Sequence, residues 1–208
     1  MTTPSTDSHN SVTIHVIDDD RGIREALRRL LYRAGYESRS HSSGAAFLKS
    51  YDGAPGCVIL DLAMPQMRGE ALLEEIARRR LNVVALVLTG HATIESAIRV
   101  TRAGALDLLE KPFDNDQLLS ALGNALCKAQ PIFARQALVN DYQQRHASLT
   151  PSERNVMDLI LAGLTSQDIA ARLGNSKKTI DIHRARVMRK MGAGSTAELI
   201  IDWTTLGK

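Results

Sequence analysis

Cys57-Val58-Ile59-Leu60-Asp61 is an unbroken apolar run, with two β-branched residues, that stops on a carboxylate. A strand with one wet face alternates apolar and polar side chains. This one does not, so both of its faces are expected to be covered. Val83-Val-Ala-Leu-Val-Leu88 repeats the pattern and is closed by Thr89-Gly90. Working outward, Thr13–Ile17, Tyr36–Ser40 and Ala105–Leu109 read as further strands. Amphipathic helices are expected over about 22–34, 43–50, 69–80 and 93–103, and from Asn115 onward, the last opened by Asp114 or Asn115 as cap. Five strands alternating with five helices predict a doubly wound, five-stranded parallel sheet with helices on both faces.

The chain has 208 residues, 44% hydrophobic and 24% charged, with Leu, Ile, Val and Ala recurring along nearly its whole length, which excludes disorder throughout. Its longest strongly apolar stretch, Val83–Leu88, is far short of the roughly 20 residues that span a bilayer. Residues 1–12 are polar, lack the features of a signal peptide, and read as a flexible tail. The two cysteines, Cys57 and Cys127, have no metal-ligand partner nearby, so a reduced, cytoplasmic protein without a disulfide framework is expected. Charge is distributed unevenly. Residues 149–208 hold nine Lys+Arg against six Asp+Glu, which accounts for the whole net charge of +3. Six of those nine basic residues fall between Lys177 and Lys190, a local face suited to a polyanion.

In a parallel α/β sheet, ligands bind beyond the carboxyl ends of the strands, where the strand order reverses. At those ends the sequence places Asp18-Asp19-Asp20, Asp61, Thr89 and Glu110-Lys111-Pro112. Clustered carboxylates repel one another, and a hard divalent cation such as Mg²⁺ relieves the repulsion. Carboxylate, cation, ammonium and hydroxyl together are what phosphoryl transfer onto an aspartate requires. Taken singly, each acid can equally be a helix cap or a solvated loop residue, and Lys111 a surface lysine. It is their order along the chain that is specific.

Val16-Ile17-Asp18-Asp19, Leu60-Asp61-Leu62-Ala63-Met64-Pro65, Leu88-Thr89-Gly90-His91 and Leu109-Glu110-Lys111-Pro112-Phe113 resemble the receiver domain of two-component response regulators, over residues 13–127. The resemblance implies a flavodoxin-like receiver with Asp61 as phosphoacceptor. It implies Mg²⁺ held by Asp18, Asp19, Asp61 and the Ala63 carbonyl, Thr89 and Lys111 on the phosphoryl group, and a cis bond before Pro112. Such domains often carry an aromatic three residues before the lysine. Here it is Leu108, so either a smaller aliphatic switch or an ordinary core position is expected there.

After Lys128 the pattern weakens. Pro131 disfavours an unbroken helix, and a partly helical linker is expected over 128–148. Thr150-Pro151-Ser152-Glu153 is a helix start, and four helices should follow over about 151–162, 165–172, 176–191 and 195–205. On the third, Ile180, Val187, Met188 and Met191 form an apolar stripe. Lys178, Asp181, Ile182, Ala185 and Arg189 lie opposite, flanked by Lys177, His183, Arg186 and Lys190. A short helix, a Gly-bearing turn and a longer basic helix make a helix-turn-helix whose second helix enters the major groove. The central face would read bases and the flanks would grip phosphates. Arg184 falls inside the apolar stripe and is expected to snorkel with its head free for the DNA backbone. Asp181, if it meets DNA, should accept from cytosine N4. His183 is either a phosphate contact or a bystander, and Tyr142 and Trp203 read as packing residues. Residues 149–205 resemble the LuxR-type helix-turn-helix of the FixJ/NarL class, placed here in a small all-α domain over 149–208. The residues that carry this are Leu149-Thr-Pro-Ser-Glu-Arg154, Gly163-Leu-Thr-Ser-Gln-Asp-Ile-Ala170 and Lys178-Thr-Ile-Asp-Ile-His-Arg-Ala-Arg-Val-Met188.

The expected protein is therefore a response regulator and not an enzyme. A sensor histidine kinase phosphorylates it, it forms a homodimer on phosphorylation, and it binds double-stranded DNA to regulate, and more specifically activate, transcription, with RNA polymerase as a further partner. Two rivals stand beside this: a receiver with a helical protein-interaction output, and an aspartyl-phosphate hydrolase. The hydrolase would want an acid two residues after its nucleophile, where this chain has Ala63.

Overall fold

The computed structural model describes residues 12–65 and 67–207. The expected tail lies, apart from Val12, outside the described residues. The chain forms two compact units that divide between Phe133 and Ala134.

In the first unit, β1 (Thr13–Ile17), β2 (Ser38–His41), β3 (Gly56–Asp61), β4 (Val83–Thr89) and β5 (Ala105–Glu110) make one sheet in the order β2-β1-β3-β4-β5. Every pairing is parallel. Helices α1 (Arg21–Arg33), α2 (Gly44–Ser50), α3 (Gly69–Arg78), α4 (Ile94–Arg102) and the start of α5 (Asn115–Ala147) alternate with the strands. The chain runs from β1 outward to β2 and then crosses back to β3. The carboxyl ends of β1 and β3 therefore meet where the strand order reverses.

The uniformly apolar strands are buried on both faces, as their lack of alternation requires. Ile14, Val16, Cys57, Ile59, Leu86 and Leu88 pack to one side with Leu27 and Leu31 of α1 and Leu118 and Leu122 of α5. The intervening Ile17, Val58, Leu60, Ala85 and Val87 pack to the other with Phe47, Leu72, Ile76 and Val100. Only β2 departs clearly from its expected span. Register pairs Ile14 with Ser38 and Ile17 with His41, so the strand begins two residues later and Tyr36 packs against the first of these cores.

Beside this edge, His15 is buried and its Nδ1 lies 3.1 Å from Nε2 of His41, a pair enclosed by the rings of Phe47 and Tyr51. Burial, then the neighbouring His41 and Arg39, lowers the His15 pKa to about 4. A depressed histidine leaves stability untouched above its unfolded pKa of about 6.5 and withdraws it as pH falls toward about 4, because the unfolded chain then binds the extra proton. The unit is expected to lose about 2 kcal/mol between pH 7 and pH 5. Urea unfolding at the two pH values checks this. His15→Leu should flatten the dependence, and an equal loss in that variant would place its origin elsewhere.

Residues 128–148, expected to be only partly helical, lie almost wholly within α5, which runs unbroken from Asn115 to Ala147 with Pro131 inside it, so the expected break at Pro131 is corrected. A proline in a helix interior costs about 3 kcal/mol. Burial offsets that cost. Leu118, Leu122, Leu126 and Ala129 recur on one face before Pro131, and Tyr142 is buried in the core of the second unit after it.

The second unit holds α6 (Pro151–Leu161), α7 (Ser166–Leu173), α8 (Lys177–Met191) and α9 (Thr196–Leu206) around Val156, Met157, Ile160, Ile169, Ile180, Val187 and Leu199. Thr150 and Glu153 form the expected capping box, and Thr165 with Asp168 forms another. Gly174 and Gly192 end α7 and α8 in the left-handed region, at φ +65° and +73°.

Candidate functional site

The carboxyl ends of β1, β3 and β5 deliver Asp18, Asp61 and Lys111 to one rim. Asp18 and Asp61 are both buried. Lys111 Nζ bridges them, 3.4 Å from Asp18 Oδ2 and 3.2 Å from Asp61 Oδ1. Exposed Asp19 completes a set in which one carboxylate oxygen each from Asp18, Asp19 and Asp61 lies within 4.8 Å of the others. Three hard oxygen donors fit a divalent cation that keeps several waters. Burial raises the pKa of Asp18, with Asp61 acting in the same sense. The backbone N–H of Asp20 and the Lys111 ammonium oppose it. Net negative charge is thus concentrated in a partly desolvated pocket, the condition a cation relieves.

Asp20, the third consecutive acid, turns away. Its Oδ1 accepts from the N–H groups of Gly22 and Ile23 as N-cap of α1. Ala63 is exposed two residues beyond Asp61. With Thr89, His91, Arg68 and Arg99 it lines an open cleft of about 480 Å³. Thr89 is buried, and its hydroxyl donates to the His91 carbonyl and accepts from the His91 N–H, at 3.1 and 3.2 Å. Leu108 pairs with Val87 across β4 and β5 and packs, half-buried, against the core beneath this loop. The Lys111–Pro112 bond is cis.

On α8, Ile180, Val187 and Met191 are buried and Met188 is partly so. The opposite face presents Lys178, Ile182, Ala185, Arg186 and Arg189 to solvent. Four of the expected DNA-facing heads, Lys177, Asp181, Arg184 and Lys190, are otherwise engaged. Lys190 Nζ lies 2.6 Å from buried Glu153 Oε2 and 3.0 Å from the Ser148 carbonyl oxygen. Lys190 and the Thr150 N–H hold the Glu153 carboxyl down at about 2. Asp181 accepts from Ser166 of α7 and from Lys177 Nζ at 3.2 Å, and both keep its carboxyl below the usual range. Arg184 corrects the expectation of a free head: it donates to the Leu164 carbonyl at 3.4 Å and to Thr196 Oγ1 at 3.2 Å. Its position inside the apolar stripe places it over the α6–α7 turn and the start of α9, where those acceptors lie. His183 is half-buried, with Nδ1 lacking a partner among the described residues. Trp203 lies 5.4 Å from the His146 ring, a packing contact. Among the described residues, no helix is long and apolar enough to cross a membrane.

Sequence reasoning missed Arg24. The only signal was a basic residue one turn after consecutive acids. Its Nη1 donates to the carbonyl oxygens of Asp18 and Asp19 at 2.7 and 2.8 Å.

Comparison with known proteins matches residues 14–123 to the response regulator receiver domain and residues 147–202 to the bacterial regulatory proteins of the luxR family. The chain is 38% identical over 188 residues to the transcriptional regulatory protein FixJ of Bradyrhizobium diazoefficiens, covering 90% of this chain and 92% of that one. It is 36% identical over 189 residues to the tetrathionate response regulatory protein TtrR of Salmonella typhimurium, covering 90% of each. Among solved structures, response regulator StyR superposes with TM-score 0.70 at 32% identity, over 92% of this chain and 97% of that one. Full-length FixJ from B. japonicum superposes with TM-score 0.56 at 37% identity, over 95% and 98%. With a receiver sheet, an acidic pocket able to hold a metal, and a LuxR-type helix-turn-helix in one chain, this protein belongs to the FixJ-like response regulators of two-component systems, which regulate transcription under the control of phosphorylation.

Proposed function

We propose that Asp61 is the phosphoacceptor, that Mg²⁺ is the cation of the pocket, and that α8 carries the DNA contacts of a cytoplasmic transcriptional activator. The observation that supports this best is the bridge from Lys111 to both Asp18 and Asp61 beside Asp19. A carboxylate oxygen of Asp61 attacks phosphorus as the bond to the donor's histidine nitrogen breaks, and the electron pair leaves with that nitrogen. Asp18, Asp19, Asp61 and the Ala63 carbonyl would hold Mg²⁺, which when bound would neutralise charge on the phosphoryl oxygens. Lys111 supplies the protein's own cation at the same place. Thr89 donates to a phosphoryl oxygen only by giving up the bond it donates to the His91 carbonyl. That couples the loop and the half-buried Leu108 beneath it to the state of Asp61. The response is a homodimer that places two copies of α8 on half-sites about one helical turn apart, with RNA polymerase recruited beside it.

A mobility-shift assay on genomic fragments, with and without a small phosphodonor and Mg²⁺, tests the proposal. Tighter binding with the donor supports it. Binding indifferent to the donor, or none to duplex DNA, overturns it. Asp181 gives a finer test. If it reads a cytosine, Asp181→Ala should relax the preference at one base pair by about tenfold, measured across single-base operator variants. Unchanged preference would leave Asp181 only its ties to Ser166 and Lys177.

A further inference from the structure

Asp18 and Asp19 are neighbours in sequence but are held differently. The Asp18 carboxylate is fixed on both oxygens, Oδ1 by the Asp20 N–H at 2.8 Å and Oδ2 by Lys111 at 3.4 Å. The exposed Asp19 carboxylate has no hydrogen-bond partner among the described residues. What orients Asp19 is its main chain, and the side chain that grips that main chain is Arg24, whose Nη1 donates to the carbonyls of both acids at 2.7 and 2.8 Å. Arg24 lies in the first turn of α1, whose N-cap is Asp20, so the grip ties the turn between β1 and α1 to the helix that follows it.

Two effects on a divalent cation oppose each other. The guanidinium is always charged and repels it. Its hydrogen bonds fix the carbonyls of Asp18 and Asp19, which sets their backbone dihedrals and so aims both carboxylates. The repulsion is weakened by water and salt at an exposed residue such as Asp19. Ordering a loose residue is an entropic cost incurred each time a cation binds, and neither water nor salt reduces it. The conformational effect is therefore the larger. We infer that Arg24 is a positioning residue for the cation pocket, holding the Asp18–Asp19 turn so that the exposed Asp19 carboxylate faces Asp18 and Asp61 before a metal arrives. This rests on the proposal that the pocket takes a divalent cation.

The two views of Arg24 predict opposite signs. Binding of Mn²⁺ to the full chain, followed through the spin-resonance signal of the free ion at 0.15 M salt and competed with Mg²⁺, is the readout. Arg24→Met should weaken binding about fivefold. Arg24→Lys, which keeps the charge and at least one donor, should lie between the Met variant and the parent. Asp19→Asn should also weaken binding, and in that background Arg24→Met should cost less than in the parent. Far-UV dichroism in chelator shows which variants are folded, and only folded protein is compared. A Met variant that binds Mn²⁺ as tightly as the parent, or more tightly, overturns the inference. So does one whose urea midpoint falls while its affinity stays unchanged, since Arg24 would then be merely structural. A parent chain that binds no Mn²⁺ overturns the cation reading itself, and the inference with it.

Discussion

Asp61→Asn is expected to abolish the acid-stable, base-labile label that a small phosphodonor leaves on the parent chain, and with it any donor-dependent gain in DNA affinity. The substitution keeps the side chain's shape but replaces the nucleophilic carboxylate with an amide, so the loss should be complete rather than graded. The fold should survive. Lys111 gives up its contact with Asp61 at 3.2 Å but keeps Asp18 at 3.4 Å, and Asp18 is relieved of a like charge that raises its pKa. Phosphate released from the labelled parent by alkali, and absent from the variant, makes the measurement. A label that persists would move the acceptor to another carboxylate, with Asp18 and Asp19 the nearest.

How much of this was legible beforehand depended on the range of the interaction involved. The two non-alternating strands and the acids at their ends are local patterns. A strand's carboxyl end is a fixed place in a parallel sheet, so Asp18, Asp61 and Lys111 could be set on one rim without coordinates. The capping box at Thr150 and Glu153 was legible for the same reason. The family resemblance set Asp20 apart from its two neighbours, but the local pattern could not, because only the direction of the turn decides which acid caps α1 and which two face the pocket. Helix α5 passed through Pro131 because buried residues on either side outweigh a local propensity. Lys190 and Arg184 were placed by a helical wheel, which knows one helix alone. Their partners Glu153, Leu164 and Thr196 belong to other elements and appear only when those elements pack. His15 and His41 pair for a comparable reason, across the register of β1 and β2.

The same distinction decides which basic residues of α8 should matter for DNA. Lys177 is paired with Asp181, and Lys190 with Glu153. Lys178, Arg186 and Arg189 are exposed, and none of the three makes a side-chain ion pair or hydrogen bond among the described residues. Under the proposed function these three are free to displace counterions from the phosphate backbone. Each such contact adds about 0.9 to the slope of log affinity against log salt. Changing all three to Ala should therefore lower the slope by nearly 3 and weaken binding at 0.1 M salt by roughly 500-fold per bound chain, with the difference closing as salt approaches 1 M. Stability should hardly change, because Ala is the better helix former and the removed heads are solvated. A salt titration of operator binding beside urea unfolding of both chains makes the comparison. A variant that unfolds like the parent and binds with an unchanged slope would remove these three residues from the DNA. The LuxR-type unit would then have to meet DNA through other basic residues, such as Arg154 or Arg172.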